Sequence, residues 1–253
     1  MPIITLTTDF GTRDGYVGAM KGVIARLTPQ ATVYDLAHDI PRGDIAHAAW
    51  VVAQSTREFP RKTVHVCVVD PGVGGPRQSV VVKARHAWYV GPDNGVFAYV
   101  TDAASQAWSI EDARFRNATV SPTFHGRDVF AYAAALLAGG EDVVDVGPAV
   151  TLLGRLPWAP RAPGRGCVVH IDCYGNLITN LPGFEAEPAI AIAGVTLPLV
   201  RTYTDVLPGE LLAYIGSAGT VEIALRDGRA DERLGTPRGT IVQPVATLPE
   251  PYR

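Results

Sequence analysis

The sequence has no long apolar run, few cysteines and only a small imbalance of charge, and each absence excludes a class of protein. No hydrophobic stretch approaches the roughly 20 residues that a membrane-spanning helix requires. The N-terminus begins with the strand-like segment PIITLTT instead of the basic and then apolar layout of a signal peptide. The formal net charge is -3, which gives no electrostatic attraction to nucleic acid or to an anionic membrane. These features predict a cytoplasmic protein without nucleic-acid or membrane partners.

The cysteines and histidines do not form a recognisable metal-binding or redox pattern. The 3 cysteines include no CxxC pair. Cys67 lies inside the apolar segment VHVCVVD and is expected to be a buried small hydrophobe, and Cys167 and Cys173 are interpreted as structural thiols. The histidines lack the HxH and HxxxH spacings that zinc sites favour. The sequence therefore predicts no metal site.

The first part of the chain alternates between strand and helix patterns. With 253 residues, of which 47% are hydrophobic and 19% charged, the chain can bury one large core or two modest ones. IITLTT, ATVYDLA and TVHVCVVD predict strands, with helices between them that begin at Asp14 and after Asp44. Two more strands, a short helix after Gly91–Gly95 and an alanine-rich helix are expected downstream. Residues 1–157 are thus predicted to form an α/β domain with a mostly parallel central sheet.

The second part of the chain has a different character. Prolines and glycines concentrate in PWAPRAPGRG, which predicts a linker over residues 158–165. Short β-branched runs separated by Gly/Pro turns follow it, without a helical pattern of useful length. Residues 166–253 are predicted to form a small all-β, barrel-like domain.

Polar clusters follow the predicted strands of the first domain. Asp9 in TTDFG follows the first strand, and Asp70 in VVDPGVG, with Arg77 close behind, follows the third. His125 in FHGRD lies where the alanine-rich helix begins. Because open α/β sheets bind ligands at the carboxyl ends of their strands, the clusters together predict a functional site.

Each cluster taken alone also has a purely structural interpretation. Asp9 could form an Asx-turn, or it could accept hydrogen bonds from the two hydroxyls of a ribose. The glycine-rich turn after Asp70 could be a plain tight turn, and Asp128 a partner of the helix dipole. Asp172 and Asn176 flank a Tyr-Gly turn in IDCYGNLITN, which a simple strand–turn–strand would explain.

Six motifs in one order resemble a known family. TTDFG, DIPRGD, VVDPGVG, GPDNG, TFHGRD and IDCYGNLITN together resemble the S-adenosylmethionine hydroxide adenosyltransferases, adenosine-forming S-adenosylmethionine hydrolases related to the bacterial fluorinase and chlorinase. The resemblance extends over essentially the whole chain. It implies hydrolysis of S-adenosyl-L-methionine to adenosine and L-methionine, without a metal or other cofactor. It also implies a homotrimer with sites at the subunit interfaces.

The resemblance also implies roles for individual residues. The catalytic residues would be Asp70, Arg77 and His125. The substrate-binding residues would be Asp9 for the ribose, Asp172 and Asn176 for the carboxylate and amine of methionine, Tyr203 as an aromatic neighbour of adenine or methionine, and Ser217. The fluorinase has Phe-Tyr-Ser at the FHG step, so His125 and Gly126 favour water over halide. Ala218 stands where the fluorinase has an arginine, which is a departure from its pattern.

The implied reaction is attack of water or hydroxide on C5′ of the ribose. Methionine leaves as a neutral thioether and needs no general acid, so activation of the water is the demanding part. Arg77 would stabilise developing hydroxide, His125 would orient the water or take its proton, and Asp70 would fix the geometry. General-base assistance is typically worth about 10²–10⁴-fold.

Three alternatives remain at this point. A nucleoside hydrolase would cut at C1′ and release adenine, but Gly74 and Gly75 occupy the positions of that family's paired, calcium-binding aspartates. A non-catalytic S-adenosylmethionine sensor would retain Asp9, Asp172 and Asn176 but has no use for the catalytic trio. Halogenase activity is disfavoured by the FHG step.

Overall fold

The computed structural model describes residues 1–158, 164–184 and 188–247. The chain divides into two compact units, Met1–Leu156 and Pro157–Arg253. Residues 159–163 of the predicted linker lie outside the described residues. No helix among the described residues is both long and apolar enough to cross a membrane.

The first unit is a seven-stranded mixed sheet with helices on both faces, as the α/β prediction required. Its strands β1 to β7 are Ile3–Thr8, Thr32–Ala37, Val64–Val68, Ser79–Ala84, Ala87–Pro92, Gln106–Ser109 and Ala149–Val150. Its helices are α1 (Tyr16–Leu27), α2 (Ile45–Ser55) and α3 (Ala131–Gly139), and one π-helical turn, Gly126–Phe130, precedes α3. The strand order is β2-β1-β3-β5-β4-β6-β7. The pairs β2–β1, β1–β3 and β3–β5 are parallel, and the pairs β5–β4, β4–β6 and β6–β7 are antiparallel.

Strand β3 lies inside the sheet, between β1 and β5. All five residues of β3 are buried, as both faces of an inner parallel strand must be. Helices α1 and α3 cover one face of the sheet with residues such as Met20 and Ala134, and α2 covers the other with residues such as Val52. The side chain of Asp44 accepts a hydrogen bond from the backbone N–H of His47, so Asp44 is the N-cap of α2, which begins after Asp44 as predicted.

Three local differences from the predictions have simple causes. Helix α1 begins at Tyr16 instead of Asp14, because Gly15 before it is left-handed with φ 73°. The short helix expected after Gly95 is a series of turns over residues 96–100. Strands β6 and β7 were not predicted; they have only 4 and 2 residues, too few for a periodic pattern.

The second unit is a closed seven-stranded barrel, which confirms the predicted fold class. Its strands β8 to β14 are Gly166–Ile171, Leu177–Pro182, Ala189–Ile192, Val195–Val200, Leu211–Ile215, Thr220–Leu225 and Ile241–Val245. Their order around the barrel is β10-β11-β12-β13-β9-β8-β14, and pairing of β14 with β10 closes it. A short helix, α4 (Ala230–Leu234), packs against its core.

The register of β1 and β3 places two predicted site residues at one edge of the sheet. The strands are parallel, and Thr8 at the end of β1 pairs with Val68 at the end of β3. Asp9 and Asp70, which follow these residues, therefore leave the sheet at the same carboxyl edge. Ligands of open α/β sheets bind at this edge.

Candidate active site

Asp70, Arg77 and His125 form one hydrogen-bonded group. Arg77 Nε donates to Asp70 Oδ1 at 3.0 Å, and its NH2 group donates to Asp70 Oδ2, so the carboxylate is held by two parallel bonds. The same NH2 group lies 2.9 Å from His125 Nδ1. The side chains of Asp70 and Arg77 are only 4% and 11% exposed, which strengthens these interactions relative to water. The structure thus brings together three residues that are up to 55 positions apart in the chain.

The contact with Arg77 determines the protonation of His125. A guanidinium only donates hydrogen bonds, so Nδ1 of His125 must be the acceptor, and the proton of the neutral ring lies on Nε2. Burial and the positive charge of Arg77 lower the pKa of His125. The ring is therefore held neutral, with Nε2–H as a hydrogen-bond donor.

Glycine allows the Asp70 loop to pack closely against the loop before His125. Gly74 has φ +77°, and a Cβ built on it would lie 2.6 Å from the carbonyl oxygen of Pro122. No other residue fits this position without displacing one of the two loops. The glycine-rich segment therefore brings the loops of Asp70 and His125 together, a role that the sequence alone did not predict.

Asp128 is the buried anchor of the His125 loop. It accepts hydrogen bonds from the backbone N–H of Ser121 at 2.9 Å, from Asn117 Nδ2 at 3.0 Å and from Arg127 Nε at 2.8 Å. Burial by itself would raise the pKa of Asp128, but these hydrogen bonds outweigh it and lower the pKa to about 2. Asp128 thus does more than interact with the helix dipole: it fixes the turn that presents His125.

Asp9 contacts another of the six motifs. Its Oδ2 accepts a hydrogen bond from the backbone N–H of Gly43, in DIPRGD, at 2.8 Å. His38 holds the turn around Asp9, because its carbonyl accepts from Gly11 N at 2.8 Å and its Nδ1 lies 2.9 Å from Thr8 Oγ1. Asp9 Oδ1 accepts no hydrogen bond from the described residues, so it is available to a ligand.

Aromatic contacts join the Asp9 loop to the His125 loop. The rings of Phe10, Tyr16 and Phe124 meet edge to face, with centroids 5.4–6.0 Å apart. A Cβ on Gly126 would lie 3.2 Å from the ring of Phe10. Gly126 therefore allows the ring of Phe10 to pack against the backbone that follows His125.

In the barrel, Asp172, Asn176 and Tyr203 belong to a chain of hydrogen bonds. Asn176 Nδ2 donates to Asp172 Oδ2 at 2.8 Å and to the hydroxyl of Tyr203 at 3.2 Å. The chain continues from Tyr203 to the hydroxyl of Tyr214 at 2.8 Å, and from Tyr214 to Glu222 Oε2 at 2.6 Å. Tyr214 and Glu222 are part of this chain of hydrogen bonds, and the sequence did not predict either of them as a site residue.

Ser217 is not part of this chain of hydrogen bonds. It lies exposed in the turn between β12 and β13, and its hydroxyl makes no hydrogen bond to the described residues.

Cys67 is completely buried, as the sequence predicted. Burial, together with the charge of Asp9, strongly raises the pKa of its thiol. Within the described residues, no group of three or more His, Cys, Asp or Glu side chains is arranged to hold a metal ion.

Comparison with known proteins identifies both units. The family model of the SAM hydroxide adenosyltransferase N-terminal domain matches residues 4–147, and that of the C-terminal domain matches residues 166–243. An (R)-S-adenosyl-L-methionine hydrolase from Salinispora tropica is 40% identical over 250 residues, covering 94% of this chain and 95% of the relative. A fluorinase from Actinoplanes sp. is 27% identical over 269 residues, covering 88% and 90% of the two chains.

A solved structure agrees with these matches. The crystal structure of a conserved hypothetical protein from Thermus thermophilus superimposes with a TM-score of 0.84 and 37% sequence identity, covering 97% of this chain and 100% of that one. The two family models follow each other along the chain in the order of the two units described above. The chain therefore belongs to the SAM hydroxide adenosyltransferase family.

Proposed function

We propose that this protein is an S-adenosyl-L-methionine hydrolase that releases adenosine and L-methionine. The observation that supports this most directly is the contact of Asp70, Arg77 and His125 at the carboxyl edge of the sheet. A sensor has no need for such a group. The relative named as a hydrolase is also more similar to this chain than the fluorinase is, at 40% against 27% identity.

In the proposed reaction, the oxygen of a water molecule forms a bond to C5′ while the C5′–S bond breaks. The bonding electrons go to sulfur, so the sulfonium becomes the neutral thioether of methionine, and the water gives up one proton to the surrounding solvent. The barrier depends on how well the water is aligned opposite the C5′–S bond and on how far its developing negative charge is stabilised.

We assign the orienting role to His125. Its Nδ1 is occupied by Arg77, so its Nε2–H can donate to the oxygen of the water, but the ring has no lone pair left to take a proton while this contact persists. Of the two possibilities for His125, orientation of the water is therefore favoured over proton removal.

Arg77 supplies the stabilising charge. Asp70 and His125 occupy its Nε and NH2 groups, and Ser79 Oγ accepts one NH1 proton at 2.8 Å. The other NH1 proton has no acceptor among the described residues, so it is available to a water or hydroxide. Asp70, bound at both oxygens, fixes the position of the guanidinium.

The remaining residues are proposed to bind the substrate. Asp9 would hold the ribose hydroxyls through its available oxygen, and Asp172, Asn176 and Tyr203 would contact the other parts of the molecule. We retain Ser217 as a weaker candidate. We further propose a homotrimer with sites at its subunit interfaces and a reaction without metal or other cofactor.

The test is to incubate the purified protein with S-adenosyl-L-methionine in halide-free buffer and to separate the products by chromatography. We expect equal amounts of adenosine and methionine, and loss of most turnover in His125→Ala. His86→Asn is the matched control, because His86 is an exposed histidine whose left-handed backbone, φ 65°, asparagine tolerates. Release of adenine would instead indicate a nucleoside hydrolase, and binding without turnover would indicate a sensor.

A further inference from the structure

We propose that Tyr214 and Glu222 are positioning residues that act through Tyr203 on Asn176, so that the barrel presents hydrogen-bond acceptors to an N–H donor of the substrate. This inference rests on the proposed function and specifies how one part of the substrate is recognised. None of the six motifs includes either residue.

The direction of every hydrogen bond in the chain is determined from the Asp172 end. The amide nitrogen of Asn176 can only donate, so Tyr203 must accept from it at 3.2 Å. Tyr203 then has its own proton available for the hydroxyl of Tyr214 at 2.8 Å. Tyr214 in turn donates to Glu222 Oε2 at 2.6 Å. The chain is satisfied only if it ends on an acceptor, which the Glu222 carboxylate provides.

The position of Glu222 is fixed by its neighbours. Glu222 pairs with Tyr214 across strands β12 and β13, so the two side chains lie on the same face. A Cβ on Gly216 would collide with Glu222 Oε1, so the carboxylate lies directly against the turn at Gly216. Only glycine at this turn leaves room for it.

These hydrogen bonds leave only the side-chain oxygen of Asn176, a hydrogen-bond acceptor, available to a ligand. Both protons of its amide nitrogen are used, by Asp172 and by Tyr203, and its Oδ1 accepts nothing from the described residues. Asp172 also offers only acceptors; its Oδ1 already accepts from the backbone N–H groups of Tyr174 and Asn176, both at 2.9 Å. These two side chains cannot donate to a substrate carboxylate. They match an amine.

The charge of the cluster agrees with an amine ligand. Asp172 and Glu222 form no ion pair within 4.0 Å among the described residues. Burial and the charge of Asp172 raise the pKa of Glu222. S-adenosyl-L-methionine has two amine N–H donors, the α-ammonium of its amino-acid end and the exocyclic amine of its base. The shared chemistry is the N–H donor, and the experiment distinguishes the two.

The experiment measures kcat and KM of the full-length protein and three variants: Tyr214→Phe, Glu222→Met and Glu222→Gln. Without Tyr214, or without an acceptor at position 222 for the proton of Tyr214, the proton of Tyr203 loses its acceptor. The hydrogen bond from Asn176 Nδ2 to Tyr203 then weakens, and the amide holds its Oδ1 less firmly toward the substrate. We expect KM for S-adenosyl-L-methionine to rise about 3–10-fold in Tyr214→Phe and Glu222→Met, the range of one hydrogen bond, with kcat changed less than about twofold. Glu222→Gln retains an acceptor oxygen and is expected to restore a KM close to that of the wild type.

Two substrate analogues test the N–H donor directly. One lacks the α-amine, and the other has a carbonyl in place of the exocyclic amine of the base. The KM penalty of Tyr214→Phe should disappear with one of them, which identifies the donor. A penalty that persists with both analogues would overturn the inference.

The outcomes separate this inference from the proposed function. A wild-type protein without turnover would refute the function itself. A wild-type protein with turnover, together with unchanged KM in Tyr214→Phe, would overturn only the positioning role. If Glu222→Met does not fold, Tyr214→Phe decides, because it removes a single oxygen atom.

Discussion

At the scale of single residues, Arg77 is the group on which the candidate site depends most. It makes two hydrogen bonds to Asp70, one to His125 and one to Ser79. Its guanidinium is planar and carries five N–H donors, so one side chain can hold the carboxylate at two points and still reach the imidazole. A lysine ammonium cannot reproduce this geometry.

We therefore predict that Arg77→Lys lowers kcat by about 10²-fold or more, the usual effect of losing a donor that stabilises developing negative charge. Arg114→Lys is the matched control, because Arg114 also pairs with an aspartate, Asp112, but is exposed. Steady-state kinetics of both variants measure the effect. Retention of near wild-type kcat in Arg77→Lys would refute the assigned role.

At the scale of secondary-structure elements, the close packing of two loops determines whether the catalytic groups meet. Gly74 has φ +77° and lies against the carbonyl of Pro122, whereas Gly140 at the end of α3 has φ +109° and open space around it. Alanine at either position introduces the backbone strain of the left-handed region, but only at position 74 does it also force two loops apart.

We predict that Gly140→Ala reduces the free energy of unfolding by about 1–2 kcal/mol and leaves kcat unchanged. Gly74→Ala is expected to be at least as destabilising and, in addition, to reduce kcat, because the loops of Asp70 and His125 separate. Urea unfolding and turnover measured on the same samples check both expectations. Equal kcat in the two variants would show that the contact with Pro122 does not matter for the site.

At the scale of the whole molecule, stability should depend on pH through His65. This residue is buried in β3, opposite Thr5 of β1, with Nδ1 2.8 Å from Thr5 Oγ1, and burial lowers its pKa to about 4. Below the ordinary histidine value of about 6.5, the unfolded chain binds a proton that the native state does not. The free energy of unfolding therefore falls as pH decreases from about 6.5 to about 4, by about 3 kcal/mol for this group.

The prediction is that His65→Gln shows a shallower loss of stability over that interval than the wild type. Glutamine keeps the ability to hydrogen-bond to Thr5 but does not titrate. Urea denaturation at several pH values from 7 to 4 measures the difference. Parallel curves for the two proteins would show that His65 is not responsible.

The proposed assembly is also a property of the whole molecule. We predict a native mass about three times the chain mass of 26.9 kDa, measured by light scattering after size-exclusion chromatography. A monomer at the protein concentrations used for turnover would contradict the proposed trimer.

The sequence predicts the α/β unit, the barrel and the motifs around Asp70, Arg77 and His125, because these depend on local periodicity and on short segments. It does not predict Glu222, since the alternation of polar Thr220 and Glu222 with apolar Val221 and Ile223 is what any half-exposed strand shows. The anchoring role of Asp128 was missed for a related reason: its partners lie 7 and 11 positions away, in irregular loops. Contacts of this kind depend on tertiary packing.

The common carboxyl edge of β1 and β3 has a practical consequence for attaching the protein to a solid support. The chain has three lysines, Lys21, Lys62 and Lys83. Lys62 precedes β3, and Lys83 pairs with Trp88 near the start of β5, so both lie toward the opposite edge of the sheet. Lys21 is engaged by Asp35 at 2.6 Å. Amine-reactive coupling through Lys62 or Lys83 should therefore tether the first unit by the edge of its sheet that is remote from Asp9 and Asp70.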